Sequence, residues 1–338
     1  MHLYYHLRGF SNILFFIVFV GKLNAQSSDT LKYTSYKNQP IFYLDIGYNA
    51  APFSMKYPFT NQIDKVKYRH NFKTMLGFGF SYKWFSVRLG AALVGDVRPI
   101  SRYGQANYVD LGVNFSIKKT YSEIDFRSYS GYVIKDSKNW DSTYNDLRPN
   151  DTEQSIASYN VAFSMWYFDN KNFKMDPFNG IKGRYNKPVT TWYLAGRFDV
   201  FGLNNQNGSI VPVQLIDSTN TKTGSSGLNA VDVGVIPGIG HSNRFRNWQY
   251  GAMFAFGPRI QSKSYHVNGQ NTSLLGMVFR YDIKLVAGYN VPRFFALLSV
   301  DFDNKSISFQ EFKYQQSFYR MRLSVGWRFN TKKSTISN

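Results

Sequence analysis

Beyond residue 25 the chain has three histidines, His70, His241 and His266, and it contains no cysteine. No two of these histidines stand at metal-ligand spacing, and without thiolates no zinc or iron–sulfur site is expected. The one cluster that suggests nucleophilic chemistry is Gly240-His241-Ser242-Asn243. A histidine and a serine two apart on a strand share a face, so the imidazole can take the hydroxyl proton. Here they are adjacent and point to opposite faces, and only a β-bulge would bring them together. The segment reads as a polar turn between strands 231–241 and 247–257. Gly77-Phe78-Gly79 and Gly238-Ile239-Gly240 precede no helix, so they read as strand glycines rather than phosphate loops. Asp301 and Asp303 share a face but have bases to pair with. No catalytic residue, cofactor or metal is therefore expected.

The charges that matter are interleaved with apolar residues. Phe42, Leu44 and Ile46 alternate, as do Phe85, Val87 and Leu89, then Val109, Leu111, Val113, Phe115 and Ile117. The longest run is Leu275, Met277, Phe279, Tyr281, Ile283, Leu285, Ala287 and Tyr289. A period of two is the strand signature. The apolar phase of these runs carries no Lys, Arg, Asp or Glu. A cation facing lipid at mid-depth costs about 2–4 kcal/mol, so this exclusion marks a lipid-facing side. Tyr82, Trp84, Tyr159, Tyr167, Trp248 and Tyr289 gather near strand ends, where a membrane interface satisfies both ring and polar tip. No strand edge survives unpaired in a bilayer, so the sheet must close. The expected fold is an all-β, closed antiparallel transmembrane barrel. The opposite phase lines its interior: Arg88, Asp110, Asp125, Arg127, Arg197, Arg280, Asp282, Arg320 and Arg322 are the lumen candidates. Glu123, Asp199, Lys284, Asp301, Asp303 and Arg328 share that phase.

Composition agrees. The 338 residues include 18% aromatics, and 43% are hydrophobic, yet the mean hydropathy is only −0.35. That excludes a disordered chain and a bundle of membrane helices. Met1–Ala25 has the layout of a secretory signal peptide: Arg8 in a polar start, an apolar Ile13–Val20 core, and Ala25 before the cut. A net charge of +19 would suit nucleic acid, but an exported protein does not meet it. Outward Lys and Arg can instead bind anionic outer-membrane lipids, including the phosphates of lipopolysaccharide. Residues 26–40 are expected as an N-terminal periplasmic segment, 41–329 as the barrel and 330–338 as a tail.

Thirteen segments show strand character, among them 173–183, which Pro177 and two glycines interrupt. Barrels normally have an even count, which predicts twelve strands, or fourteen if 209–216 adds one. Short turns are expected at 83–84, 118–120, 169–172 and 290–292. Long polar loops are expected at 52–72, 95–106, 134–154, 258–272 and 304–316. The stretch 202–230, rich in Asn, Gly, Ser and Thr, is expected to be mobile, and its side of the membrane depends on the strand count.

The terminal strand, from Tyr319 to Phe329, resembles the signal read by barrel-assembly machinery, although a short tail follows it. Four further stretches, Tyr167–Phe173, Thr191–Gly196, Val235–Gly240 and Leu285–Asn290, carry a wider resemblance. Through them the chain is similar to outer-membrane β-barrel proteins of Bacteroidota, within a family of unknown function. The resemblance implies an outer-membrane barrel and no activity. Three functional expectations follow. The first is a passive pore for small polar solutes, its inner charges setting selectivity. The second is a structural or interaction barrel with a blocked lumen, acting through its loops. The third is a membrane lipid hydrolase using His241.

Overall fold

The computed structural model describes residues 32–93, 98–117, 120–152 and 155–330. The expected signal peptide lies outside them, as do residues 118–119 and all but the first residue of the tail. No helix among the described residues is long and apolar enough to cross a membrane. The chain crosses with strands instead. Numbered along the sequence these are β1 (Tyr33–Ser35), β2 (Ile41–Ala50), β3 (Phe53–Lys56), β4 (Lys65–His70), β5 (Thr74–Tyr82) and β6 (Phe85–Ala92). Next come β7 (Asn107–Ile117), β8 (Thr120–Ser130), β9 (Tyr132–Ile134), β10 (Ile156–Phe168), β11 (Gly183–Tyr185) and β12 (Val189–Asn205). The last five are β13 (Gly227–Phe245), β14 (Trp248–Val267), β15 (Gln270–Asn290), β16 (Phe294–Phe309) and β17 (Phe312–Arg328).

Twelve of these form the wall, in the order β2-β5-β6-β7-β8-β10-β12-β13-β14-β15-β16-β17. Strand β17 pairs back onto β2 and closes the ring, all neighbours antiparallel. The alternation decides which way each side chain faces. Leu44 and Leu89 are exposed by 53% and 56%, whereas their neighbours Asp45 and Arg88 are exposed by 1% and 6%. Apolar outside and charged inside is the reverse of a water-soluble sheet. It is what a barrel in hydrocarbon requires.

Outward aromatics frame the apolar belt. Trp248 meets Tyr289, and Phe294 meets Trp327, near the end where β2 begins and β17 finishes. Tyr281, Phe302 and Tyr319 pack in a row at the other border. Eight residue steps along β17 separate Trp327 from Tyr319. At a tilt near 40° that spans roughly 20 Å, close to the height of such belts.

The proximal end carries residues 32–40, Phe329 and the short turns 83–84, 246–247 and 291–293. The distal end carries described residues of the connections, at 51–73, 98–106, 131–152 and 206–226. The stretch expected as a loop at 202–230 is therefore distal. Its flanks belong to β12 and β13, and residues 209–216 hold a 3-10 turn at Val213–Leu215 rather than a strand. Nor does it stand loose: Phe201, Leu203, Ile210, Val211 and Leu215 are all buried.

Other expectations need correction. Residues 173–183 form no wall strand. Pro177 has no amide proton for a ladder, and the chain turns a short helix there, Met175–Asn179, ended by Gly180 at φ 76°. The expected turn 169–172 is thus only the start of a connection running to residue 188. The expected loops 258–272 and 304–316 are continuous strand. β14 and β15 join through Asn268 and Gly269, both at positive φ (50° and 77°), as a two-residue hairpin demands. Likewise Gly240–Asn243 is no turn: it lies within β13, which runs on to Phe245.

Inward glycines have a use here. A Cβ on Gly79 would fall within 2.0 Å of the Tyr43 ring, at 1.9 Å, and one on Gly238 would meet Tyr193 at 2.3 Å. Each glycine lets an aromatic ring lie flat across the inner wall.

Candidate functional site: the barrel interior

The sequence-derived lumen residues do come together, in a charged layer that runs from mid-height to the distal border. Arg88 pairs with both Asp45 and Asp110. Arg127 reaches Asp125 at 2.6 Å and Asp303 at 3.8 Å. Arg320 bridges Asp125 at 2.6 Å and Asp301 at 3.1 Å, and Asp301 also faces Arg322 at 3.4 Å. Lys284 links Asp301 to Glu123. On the other side Asp282 lies between Arg197 at 2.9 Å and Arg259 at 3.5 Å. Arg259 continues to Asp199, which Lys305 also holds at 3.0 Å. Arg280 pairs with Asp232 at 2.6 Å.

Among the described residues the layer holds nine acids and nine bases. Charges out of water persist only when paired and hydrogen-bonded. The neutral, cross-linked layer gives every charge an opposite partner, although Asp45 Oδ1, Asp110 Oδ1 and Asp303 Oδ1 have no hydrogen-bond donor among the described residues. Two cavities remain in it, each about 70 Å³. Each has room for several water molecules.

Four of these residues escaped the sequence reading. Asp45 and Asp232 sit between alternating apolar residues and were legible there. Arg259 and Lys305 lie in the segments expected as loops. Arg328, grouped with the lumen charges, does something else.

Both ends of the lumen are filled. The proximal plug is made by residues 173–185 and by β1, which pairs with β11. Phe173, Phe178 and Tyr185 are fully buried against wall residues Ile41, Ala195 and Phe295. Wall side chains hold the plug backbone. Arg328 donates to the carbonyls of Gly180 (2.6 Å) and Ile181 (2.9 Å), and Asn290 Nδ2 donates to Gly180 and Gly183. Gln249 Nε2 donates to the Pro177 and Phe178 carbonyls.

A Ser–Lys–Asp group tightens the same plug, and the sequence reading missed it. Ser116 Oγ donates to Asp176 Oδ1 at 2.7 Å, while Lys182 Nζ donates to Ser116 Oγ at 3.2 Å and pairs with Asp176 at 3.1 Å. Burial pulls the Lys182 pKa down, against the opposing pull of Asp176. The three side chains hold one another, which anchors the plug helix to β7.

The distal cap is a sheet folded inward. β17 pairs with β3 beyond the point where β2 leaves it, and β3 continues to β4 and β9. Phe53 stacks on Tyr68 at 4.2 Å and meets Tyr132 edge-on at 4.7 Å. Tyr68 Oη donates to the Ile210 carbonyl at 2.7 Å, which draws the 206–226 connection over the cap. His70 lies on β4 beside Tyr132, with a ring-centroid distance of 3.9 Å. Neither of its ring nitrogens has a partner among the described residues. Burial pushes its pKa down to about 3.

His241 and Ser242 remain apart, as adjacent strand residues must. His241 faces outward with Nδ1 against Thr190 Oγ1 at 2.7 Å, and Ser242 Oγ donates inward to the Tyr250 carbonyl. No cluster of metal-ligating side chains occurs among the described residues.

The structure is similar to the outer membrane protease OmpT from Escherichia coli, at 8% identity and a TM-score of 0.41 over 90% of this chain and 100% of that one. It is similar to the translocator domain of the autotransporter NalP from Neisseria meningitidis, at 11% identity and 0.37 over 96% of each chain. A third similarity is to the toluene transporter TodX of Pseudomonas putida, at 8% identity and 0.31 over 87% of this chain and 91% of that one. These proteins do different things, and likeness at this level carries no argument about activity. No curated protein matches the chain. A family profile does match, over residues 27–329, and the chain therefore belongs to the DUF4421 family, a domain of unknown function.

Proposed function

We propose that this protein is a sealed outer-membrane barrel that works as a structural or interaction protein through its distal end. The observation that carries the reading is the filled lumen: a plug, a neutral charged layer and a cap in series, with cavities of only about 70 Å³ in the charged layer. A passive pore needs a continuous aqueous path whose wall charges face moving solute. Here the wall charges face one another. A hydrolase built on His241 lacks support, because the hydroxyl beside it points to the other side of the wall.

In this reading the signal peptide exports the chain and barrel-assembly machinery inserts it. Exposed bases on the distal connections, such as Arg98, Arg102 and Arg148, would meet lipopolysaccharide phosphates. Nucleic acid is not a partner. The test is a swelling assay on liposomes carrying the full chain in a small-sugar medium. The reading expects no swelling above empty liposomes, and swelling at a porin-like rate would overturn it.

A further inference from the structure

One part of the wall is not closed. β15 pairs with β16 only from Asp282 to Asn290. Both strands continue distally, but residues 270–281 of β15 pair with β14 alone, and residues 304–309 of β16 pair with β17 alone. The split begins at the distal aromatic border, where Tyr281 meets Phe302. It therefore lies at and beyond the edge of the hydrocarbon, where an open strand edge is tolerated.

The two sides of the split are treated differently. The β16 edge is closed by side chains reaching across. Gln261 Nε2 and Arg280 Nη2 donate to the Ser306 carbonyl at 2.9 and 3.0 Å, and Lys263 Nζ donates to the Ser308 carbonyl. The β15 edge has one such closure, where Tyr281 N donates to Asn304 Oδ1 at 3.0 Å. Residues 270–279 hold no Lys, Pro or acidic residue, the usual means of blunting an edge.

Outward residues differ as well. Beyond the aromatic border β16 turns polar at once, with Asn304, Ser306 and Ser308, whereas β15 continues with Phe279, Met277 and Leu275. Met277 and Leu275 are 68% and 76% exposed. This ribbon is thus an apolar, unblunted strand edge outside the lipid.

We propose that the β15 edge at residues 270–280 takes an added β-strand from a different polypeptide. A ladder of backbone N–H and C=O groups is matched by backbone of the same repeat, which selects polypeptide over lipid or saccharide. The added segment carries apolar residues at every second position, to cover Leu275, Met277 and Phe279. A second copy of this chain does not fit. Two copies inserted the same way are related by rotation about the membrane normal, which preserves the sense of every strand along it. Strands tilted by about 40° then never become antiparallel, and about a two-fold axis the two β15 edges cross at about 80°, too far from parallel to form a ladder.

This inference rests on the proposal that the protein acts through its distal end. The chain has no cysteine, so Met277→Cys creates a unique attachment point for a benzophenone maleimide. The experiment compares the full chain in native outer membranes with the purified protein in detergent. Two results together are expected: amides of 270–280 exchange at least tenfold more slowly in the native membrane, and photolysis gives a protease-sensitive adduct to a different chain. Both effects are lost in Leu275→Lys, whose folding is checked by its heat-modifiable gel shift; Gln315→Cys on β17 gives no adduct. Equal exchange in both settings, an adduct of twice the chain's own mass, or an adduct to lipopolysaccharide would overturn the proposal. Such a failure would leave the liposomes unswollen, so the sealed-barrel reading is judged separately.

Discussion

The two closures of the lumen solve one problem by different means. The proximal plug is a single excursion, residues 169–188, with one short helix and a three-residue strand. Such a segment pairs only some of its carbonyls through its own turns, and buried carbonyls must be paired. The wall supplies the donors: Arg328, Asn290 and Gln249 all aim at plug oxygens. The distal cap is a continuation of the barrel sheet, so its backbone is already paired through β17, β3, β4 and β9. What remains is side-chain packing, and aromatic rings supply it. The proximal closure should thus fail when a donor is removed, and the distal one when a ring is removed.

The largest effect is expected for Tyr132→Ala. This fully buried ring touches Phe53 and His70, and its hydroxyl also donates to the Ala51 carbonyl. Truncating a buried aromatic costs about 3–5 kcal/mol. Amides of β4 and β9 should lose protection by that amount, while those of the proximal plug keep theirs. Arg328→Ala should do the opposite. It strands the Ile181 carbonyl, at about 1–3 kcal/mol for an unsatisfied group, and leaves Gly180 with Asn290 as its side-chain donor. Exchange in residues 173–185 should rise while the cap stays protected. If either variant loosened both ends equally, the two closures would be one cooperative unit and the contrast would fail.

Acid gives a smaller and graded effect on the cap alone. Unfolded His70 titrates near 6.5, and the folded ring near 3. Between these values the opened cap binds a proton that the closed cap excludes. Cap stability is therefore constant above pH 6.5 and falls as the pH drops toward 3, by at most about 1.4 kcal/mol per pH unit. Protection of β4 amides, corrected for intrinsic exchange, should fall between pH 7 and pH 5. A His70→Phe variant should show no such fall, and neither should the proximal plug. An unchanged slope in the variant would assign the effect to another group.

How much of this was legible in the sequence depends on depth in the membrane. Within the belt, lipid forces apolar residues outward, so the alternation around Asp110, Arg88 and Asp282 is clean and fixes both fold and lumen. Beyond the belt, water and saccharide impose no such rule. β14 continues through Ser262 and Ser264 with an unbroken ladder, yet its outward residues are polar and the period disappears. That is why Arg259 and Lys305, which complete the charged layer, sat in segments that read as loops. The plug was hidden for another reason. Phe173, Met175 and Tyr185 look like strand residues, and only Pro177 and Gly180 hint that the chain turns inward. Which charges pair across the lumen was not legible, because pairing depends on how the ring closes.

The most direct test of the sealed interior is single-channel recording of the full chain in planar bilayers. The account predicts insertion, verified by protease protection, with no steady current under moderate voltage of either sign. Stable open steps that scale with salt concentration would contradict it.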